Sequence, residues 1–262
     1  MTLAARIAGI GVVGPGLAGW PEAREALAGR TPYAPAPTRL PAPEALPATE
    51  RRRAGKSVKL ALATGLEAVA AAGVAPGSIA AIFASSSGDG ENCHAICETL
   101  ASDDRLISPT RFHNSVHNAP AGYWSIATGA TASIDCLGAY DASFGAGLLE
   151  ALTHLSVEPK APVVLIAYDA PYPEPLNGAR PLPDAFGVAF VLEAANGAAS
   201  GIRVDFTREP EQALADAGLE DLRRSIPAAR ALPLLALVAR EARGSATLAY
   251  LGGLNLRVEH TP

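Results

Sequence analysis

The chain has 262 residues, of which 49% are hydrophobic and 18% are charged, and its formal net charge is −5. This composition provides enough apolar surface for a buried core and excludes a chain that is disordered as a whole. The acidic balance predicts no basic face, so we expect neither a nucleic-acid partner nor an anionic membrane surface. Three cysteines, an odd number, do not form a disulfide framework, and a cytoplasmic location is therefore expected.

The start of the chain shows some features of a secretory signal. Arg6 precedes an apolar run, but glycine and proline residues between Gly9 and Gly16 interrupt it, and no clean Ala-x-Ala site follows. Elsewhere, no apolar run approaches the ~20 residues that a membrane-spanning helix requires. We therefore expect no signal peptide and no membrane span.

The predicted elements alternate between strands and helices. In chain order, we expect a strand at 6–13, a helix at 21–28, a proline-rich loop at 31–49, a helix at 56–72, a strand at 79–85, helices at 91–102 and 118–128, a strand at 132–137, a helix at 141–155, strands at 162–168, 187–193 and 201–206, a helix at 232–243 and a final strand at 246–258. This alternation predicts a layered α/β domain with a mostly parallel sheet. The pattern leaves much of 205–245 undefined.

Two motifs match known spacings without their usual context. Residues 9–14 read G-x-G-x-x-G, but Pro15 and Gly16 prevent a helix from starting there, and 30–38 contain no acid. These glycines therefore favour close strand packing over nucleotide binding.

The second motif has the spacing of zinc ligands. Cys93, Cys97, His113 and His117 read C-x3-C-x15-H-x3-H, but the residues between them lack the aromatic and leucine positions of a zinc finger. The two cysteines lie one helical turn apart and are predicted to be buried thiols. We expect no metal and no cofactor, and zinc binding remains an alternative that elemental analysis tests.

The most informative segment spans residues 108–152, where a strand runs into a turn of small residues and then an apolar helix. Such an elbow exposes one residue at a helix N-terminus, where negative charge is favoured. In an acyl-transferring enzyme that residue is a cysteine thiolate. Here the elbow residue is Asp141, whereas Cys136 lies on the strand five residues earlier. We predict that Asp141 caps the helix and that Cys136 is buried.

Four segments in the same order resemble β-ketoacyl synthases. Residues 5–33 resemble the first strand and helix of that family, and 57–90 resemble its second helix and strand. Asn118 to Gly122 resembles the family's Asn-x-x-x-Gly helix start, and 187–197 (GVAFVLEAANG) resembles a late strand. The resemblance covers about 4–204 and implies a thiolase-like, layered α-β-α half-fold with a mixed, five-stranded-type sheet.

Two departures from this family bear on activity. Counted from Asn118, the position of the family's nucleophilic cysteine falls on Asp141, and no histidine lies between His154 and His260. The Cys-His-His set of the family is therefore incomplete. The resemblance implies an N-terminal half at 1–204 and a shortened remnant at 205–262 that completes the same domain. In its tail, the turn residues resemble the family's closing turn: Gly252, Gly253 and Asn255.

Within that family, the chain resembles chain-length-factor-type subunits of aryl-polyene and xanthomonadin pigment synthesis. It implies a non-catalytic subunit that forms a heterodimer with a full-length β-ketoacyl synthase across the strand at 132–137 and works with an acyl carrier protein. The residues expected to border the partner's acyl tunnel are Arg111, Phe112, His113, His117, Asn118 and Asp141.

Two alternatives remain open from the sequence. The chain could process acyl thioesters alone, using Asp141 or Cys136 as the nucleophile. It could instead be a homodimeric scaffold that binds an acyl carrier protein.

Overall fold

A computed structural model describes residues 3–195 and 200–262. The end of the synthase-like segment at 187–197 therefore lies partly outside the described residues. The strands are β1 (Leu3–Val13), β2 (Ala80–Ala84), β3 (Ile134–Leu137), β4 (Val163–Asp169), β5 (Phe186–Ala194), β6 (Gly201–Thr207), β7 (Gly244–Leu251) and β8 (Leu254–Thr261). The helices are α1 (Trp20–Leu27), α2 (Ala48–Arg51), α3 (Lys56–Ala72), α4 (Gly90–Ala101), α5 (Pro109–His113), α6 (Ala119–Thr128), α7 (Ser143–Val157), α8 (Leu176–Ala179), α9 (Ala217–Ser225) and α10 (Leu232–Ala239), with 3-10 helices at Pro76–Ser78 and Pro227–Ala231.

All eight strands form one mixed sheet in the order β3-β2-β4-β5-β1-β6-β8-β7. Only the pairings of β2 with β3 and with β4 are parallel. The mixed sheet is confirmed, but the expectation of a mostly parallel sheet is wrong. Parallel neighbours need a long crossover. The crossover from β2 leads to β3 at one edge of β2, and the connection from β3 leads on to β4 at the other edge, so β2 is the strand with parallel neighbours. The five strands from β3 to β1 form one side of the sheet, and the three C-terminal strands extend it.

Helices cover both faces of the sheet, which confirms the layered α-β-α architecture. On one face, α3 packs across β1, β4 and β5, and α6 packs beside α3. On the other face, α7 packs on the same strands, with α1, α10 and the 3-10 helix Pro227–Ala231 around it. Strand β4 lies between the two layers, and all seven of its residues are buried. The continuous apolar run that predicted this strand is typical of one covered on both faces.

The glycines of β1 allow the close contact between this strand and α3. A Cβ atom on Gly11 would lie 2.1 Å from the Thr64 carbonyl oxygen, and one on Gly9 would lie 2.2 Å from that of Ala68. Helix and strand approach until no side chain fits between them. The interpretation of this motif as close strand packing is therefore confirmed.

The C-terminal segment joins the same sheet. Strand β6 crosses the predicted boundary at 204 and pairs with β1 on one side and β8 on the other. The buried Arg223 of α9 fixes the irregular stretch between β6 and α9. Its guanidinium nitrogens lie 2.6 Å from Glu211 in that stretch and 2.7 Å from Glu220 on α9. The division at 204 stays a prediction. Across 3–195 and 200–262, no helix has the length and apolarity needed to cross a bilayer.

Candidate functional site at the elbow after β3

The elbow is the tight turn between β3 and α7. Tyr140 adopts a left-handed conformation there, with φ of 53°, which is uncommon for a residue with a bulky side chain. The Ser143 hydroxyl fixes the turn because it accepts a hydrogen bond from the Ala139 amide at 3.0 Å and donates one to the Tyr140 carbonyl at 2.7 Å. The strained residue of the turn is thus Tyr140, directly before Asp141.

The carboxylate of Asp141 bridges two arginines. Arg180 Nη2 lies 2.5 Å from Asp141 Oδ1, and Arg230 Nη2 lies 3.3 Å from Oδ2. The expectation that Asp141 caps the helix is wrong, because Ala142 occupies the N-cap position of α7 and the Asp141 side chain is directed to the arginines instead. Both arginines hydrogen-bond to the carboxylate oxygens, so the lone pairs that a nucleophile would use are already engaged.

Both arginines come from distant parts of the sequence, and sequence reasoning missed them. Arg180 follows α8, and its guanidinium carbon lies 3.6 Å from the centre of the Tyr140 ring and 5.8 Å from that of Tyr172. Arg230 lies on the 3-10 helix Pro227–Ala231, in the C-terminal part of the chain. No motif near either residue indicates these contacts.

Cys136 is partly buried on β3, as the strand prediction implied. Burial, with a smaller contribution from the neighbouring Asp135 carboxylate, raises the pKa of the Cys136 thiol to about 11. Because the thiolate is the reactive form, this cysteine is a poor nucleophile at neutral pH.

The other predicted tunnel residues lie away from Asp141, on the α5–α6 segment. Arg111, Phe112 and His113 are exposed on α5. His117 lies closer to the elbow, since its Nε2 atom is 3.2 Å from the Ser85 carbonyl oxygen at the end of β2. Asn118 occupies the N-cap position of α6 without a capping side-chain hydrogen bond.

The four residues with the spacing of zinc ligands were considered only as an alternative metal site. Cys93 and Cys97 are exposed, contrary to the prediction that they are buried, because α4 lies on the outside of the fold and buries only Asn92. In the described part of the chain, no three His, Cys, Asp or Glu side chains are grouped so that they could hold a metal ion.

A cleft opens between the elbow and the β7–β8 hairpin, and we call it the elbow cleft. Its volume is about 610 Å³. Gly252 and Gly253 form the hairpin turn, and the Asn255 amide nitrogen ties the hairpin to the Glu209 carbonyl oxygen at 2.8 Å. The cleft is lined by Ala139, Tyr140, Asp141, Ala142, Pro210, Glu211, Arg230, Ala249, Tyr250, Leu251, Gly252 and Asn255.

A buried carboxylate, that of Asp169, links the end of β2 to the 3-10 helix that carries Arg230. Asp169, at the end of β4, accepts hydrogen bonds from the Ser86 amide at 2.8 Å and hydroxyl at 2.7 Å, and from the Ala228 amide at 2.8 Å. Burial raises the pKa of Asp169 to about 6, although these hydrogen bonds partly oppose the effect. Asp169 thereby fastens the 3-10 helix that carries Arg230. The sequence shows only an acid at the end of an apolar strand, which did not single it out.

A second cleft, of about 480 Å³, is basic, and we call it the basic cleft. The net charge of the chain predicts no basic face. That expectation is wrong at this cleft, because the fold gathers cations from α5, from the loop between α2 and α3, and from the start of α3. The charged residues that line it are Arg52, Arg53, Lys56, Lys59, Asp89, Glu91 and Arg111.

The mixed layered sheet with an elbow between β3 and α7 defines a thiolase-like protein. The chain belongs to the β-ketoacyl synthase family, since the model of the β-ketoacyl synthase N-terminal domain matches residues 23–244. A search of the curated proteins finds no match.

Several solved structures share the fold. A ketosynthase in complex with its chain length factor from Xenorhabdus doucetiae (ApeO and ApeC) is matched with 22% identity and a TM-score of 0.74, covering 98% of this chain and 100% of that one. The ishigamide ketosynthase/chain length factor is matched with 13% identity and a TM-score of 0.70, covering 99% and 100%. A type II polyketide acyl-carrier protein–ketosynthase complex (AntDE:AntF) is matched with 11% identity and a TM-score of 0.73, covering 100% and 99%.

Proposed function

We propose that this chain is a non-catalytic, chain-length-factor-type subunit that pairs with a full-length ketosynthase. The observation that carries the proposal is the elbow itself, where Asp141 is bound by Arg180 and Arg230 and no thiol is present. An acylated aspartate is a mixed anhydride, which water hydrolyses, so this residue is unsuited to holding an acyl chain during elongation. The high pKa of Cys136, about 11, also argues against the alternative of an autonomous enzyme.

The proposed contact surface is the free edge of β3 with the helices beside it. Among the described strands, β3 pairs only with β2, so its other edge is available to a partner strand. In the segment from α4 to α6, several large apolar side chains are exposed. Such a group indicates a surface that binds another protein. Its members are Leu100, Leu106, Phe112, Val116 and Ile126. Arg111 and His113 flank Phe112. We propose that these three residues, together with His117 and Asn118, border the partner's acyl tunnel.

The basic cleft supports an acidic partner, and we propose that this partner is the acyl carrier protein. In this cleft Lys56 pairs with Glu91 at 3.0 Å. Arg52, Lys59 and Arg111 have no carboxylate within ion-pair distance among the described residues. Arg53 pairs with Glu50 at 3.2 Å, so the three cations without an ion pair among the described residues leave a positive surface on an acidic protein. Such a surface attracts acidic proteins through electrostatic complementarity.

The resemblance to pigment-cluster proteins narrows the substrate. We propose that the complex extends aryl-polyene-type acyl chains in the cytoplasm and that this chain limits their length.

The first test is co-expression with a full-length ketosynthase from the same organism, followed by size-exclusion chromatography and an elongation assay. We expect a 1:1 complex that is active only with both chains and that remains active with Asp141→Ala. A chain that stays apart and turns over acyl thioesters alone would contradict the proposal, as would a homodimer indifferent to the synthase.

Two matched substitutions locate the contact surface. Phe112 is 68% exposed on the proposed face, and Val157 is 73% exposed at the end of α7. We expect Phe112→Asp to weaken the complex and Val157→Asp to leave it unchanged. Equal effects of both variants would show that the surface lies elsewhere.

Charge reversal tests the carrier-protein contact separately. Arg52→Glu with Lys59→Glu, two cations of the basic cleft that lie outside the proposed contact surface, should raise the KM for the carrier-bound substrate and reduce its dependence on salt. Arg203→Glu, on the exposed side of β6, is the control. An unchanged KM in the double variant would overturn this part of the proposal.

A further inference from the structure

Two thiols lie one helical turn apart on the surface of α4. Cys93 and Cys97 are both exposed, and a spacing of four residues on a helix places Cβ atoms about 5–6 Å apart. The two side chains also affect each other. Partial burial, followed by the charge and the hydrogen bond of Cys97, raises the pKa of the Cys93 thiol. The proposed function uses neither cysteine, so this dithiol is a separate feature of the chain.

The spacing of the two thiols suits a bridging metal ion better than a direct bond. A disulfide needs Cβ atoms about 3.5–4.5 Å apart, which an intact helix does not provide between residues four positions apart. An ion held between two sulfurs separates them by roughly 4.6 Å, twice the ~2.3 Å metal–sulfur distance of zinc thiolates. Side chains whose Cβ atoms are about 5–6 Å apart reach this separation in ordinary rotamers.

The number and type of ligands determine the class of ion. Structural zinc takes four ligands, but across residues 3–195 and 200–262 no third His, Cys, Asp or Glu side chain is grouped with these thiols to hold a metal. His94 is the nearest candidate in sequence, and its Nε2 atom instead lies 3.3 Å from Glu98 Oε1. Thiolate sulfur is a soft ligand that selects Cu(I). This ion is stable with two sulfur ligands in a linear arrangement, so two thiols suffice for it.

We propose that Cys93 and Cys97 bind one Cu(I) ion between their sulfur atoms on α4. Each thiol gives up its proton to become a ligand, so two protons are released for each ion that binds. No electron is transferred, because copper enters and stays in the +1 state. This site differs from a zinc site built from all four residues of the C-x3-C-x15-H-x3-H pattern. The inference is independent of the proposed function.

Competition with bicinchoninate, a chelator that changes colour when it binds Cu(I), tests the site in the reduced full chain under nitrogen. We expect the chain to withhold one Cu(I) ion from the chelator. Cys93→Ser and Cys97→Ser should each weaken binding by about a hundredfold or more, because a single thiol cannot chelate the ion. Cys136→Ser is the control and should leave binding unchanged, because that thiol lies on β3 and not on α4.

A variant with the same number of thiols tests the spacing. Ala95→Cys combined with Cys97→Ser places the second thiol two residues from Cys93, and side chains at that spacing do not face each other on a helix. We expect this variant to lose the ion. The inference would be overturned if the wild type withheld no Cu(I), or if this variant or either single variant bound the ion as tightly as the wild type. Binding of Zn(II) by the wild type as tightly as Cu(I) would also overturn it.

Discussion

The guanidinium carbon of Arg180 lies 3.6 Å from the centre of the Tyr140 ring. The same side chain binds Asp141, so one arginine holds two consecutive residues of the elbow. A cation–π contact contributes about 0.5–2 kcal/mol, depending on its exposure. Arg180 therefore couples the segment around α8 to the turn between β3 and α7.

We expect Arg180→Ala to lower the stability of the chain by about 1–2 kcal/mol, which corresponds to roughly 2–8 °C in melting temperature for a domain of this size. The loss arises because Asp141 keeps only its longer contact with Arg230 and the Tyr140 ring loses its cation. Thermal unfolding followed by circular dichroism measures the change. Arg39→Ala, at an exposed site, is the control, and an equal shift in both variants would contradict the assigned role.

Gly11 provides a test of the contact between β1 and α3. Gly11→Ala would place a methyl group 2.1 Å from the Thr64 carbonyl oxygen, which is backbone and cannot rotate away. Overpacking of this kind costs about 1–3 kcal/mol or more. In α6, a Cβ atom on Gly122 meets nothing within 4 Å, so Gly122→Ala should be neutral or stabilising by up to about 1 kcal/mol. Chemical denaturation of both variants measures their free energies of unfolding. Similar values would show that β1 and α3 can move apart enough to accept a methyl group.

The sequence predicted the elements and the layered architecture well, because both depend on local patterns. The apolar run at 162–168 indicated a doubly covered strand, and β4 is one. The helix predicted at 56–72 is α3, and Gly73 ends it in the left-handed conformation, with φ of 67°. The spacing of Gly9 and Gly11 indicated close packing, because no other residue type leaves room for it.

The site depended on contacts that local patterns do not contain. Arg180 and Arg230 lie 39 and 89 residues from Asp141 in sequence. Their role follows from the fold, since only the sheet order brings the C-terminal remnant beside the elbow. For the same reason the direction of most strands was predicted wrongly, because alternation of elements does not determine which strands become neighbours.

Asp169 gives stability a distinctive dependence on pH. Burial raises its pKa from 3.8 to about 6, so between these values the folded chain binds more protons than the unfolded chain. The contribution of this group to stability is therefore full below about pH 4 and is lost as the pH rises through about 6. Asp169→Asn removes the group that titrates. The free energy of unfolding of this variant should therefore change less between pH 4 and 7 than that of the wild type.

The measurement is the free energy of unfolding by urea at several pH values from 4 to 7. The difference between the wild type and Asp169→Asn isolates this residue from the other carboxyl groups. Asp205→Asn, on an exposed position of β6, is the control. Parallel curves for the wild type and Asp169→Asn would show that the carboxyl group is not buried as described.

The three cysteines should differ strongly in reactivity towards a thiol reagent such as DTNB. Cys93 and Cys97 are exposed on α4, whereas Cys136 is partly buried and its pKa is raised to about 11. At pH 8 only about one Cys136 thiol in a thousand is ionised, so its labelling should be slow. We expect two fast thiols in the native chain and three after unfolding. Cys136→Ser should leave the two fast thiols unchanged. Loss of a fast thiol in that variant would mean that Cys136 is activated, and Cys136 would then be the nucleophile of an autonomous thioester-processing enzyme.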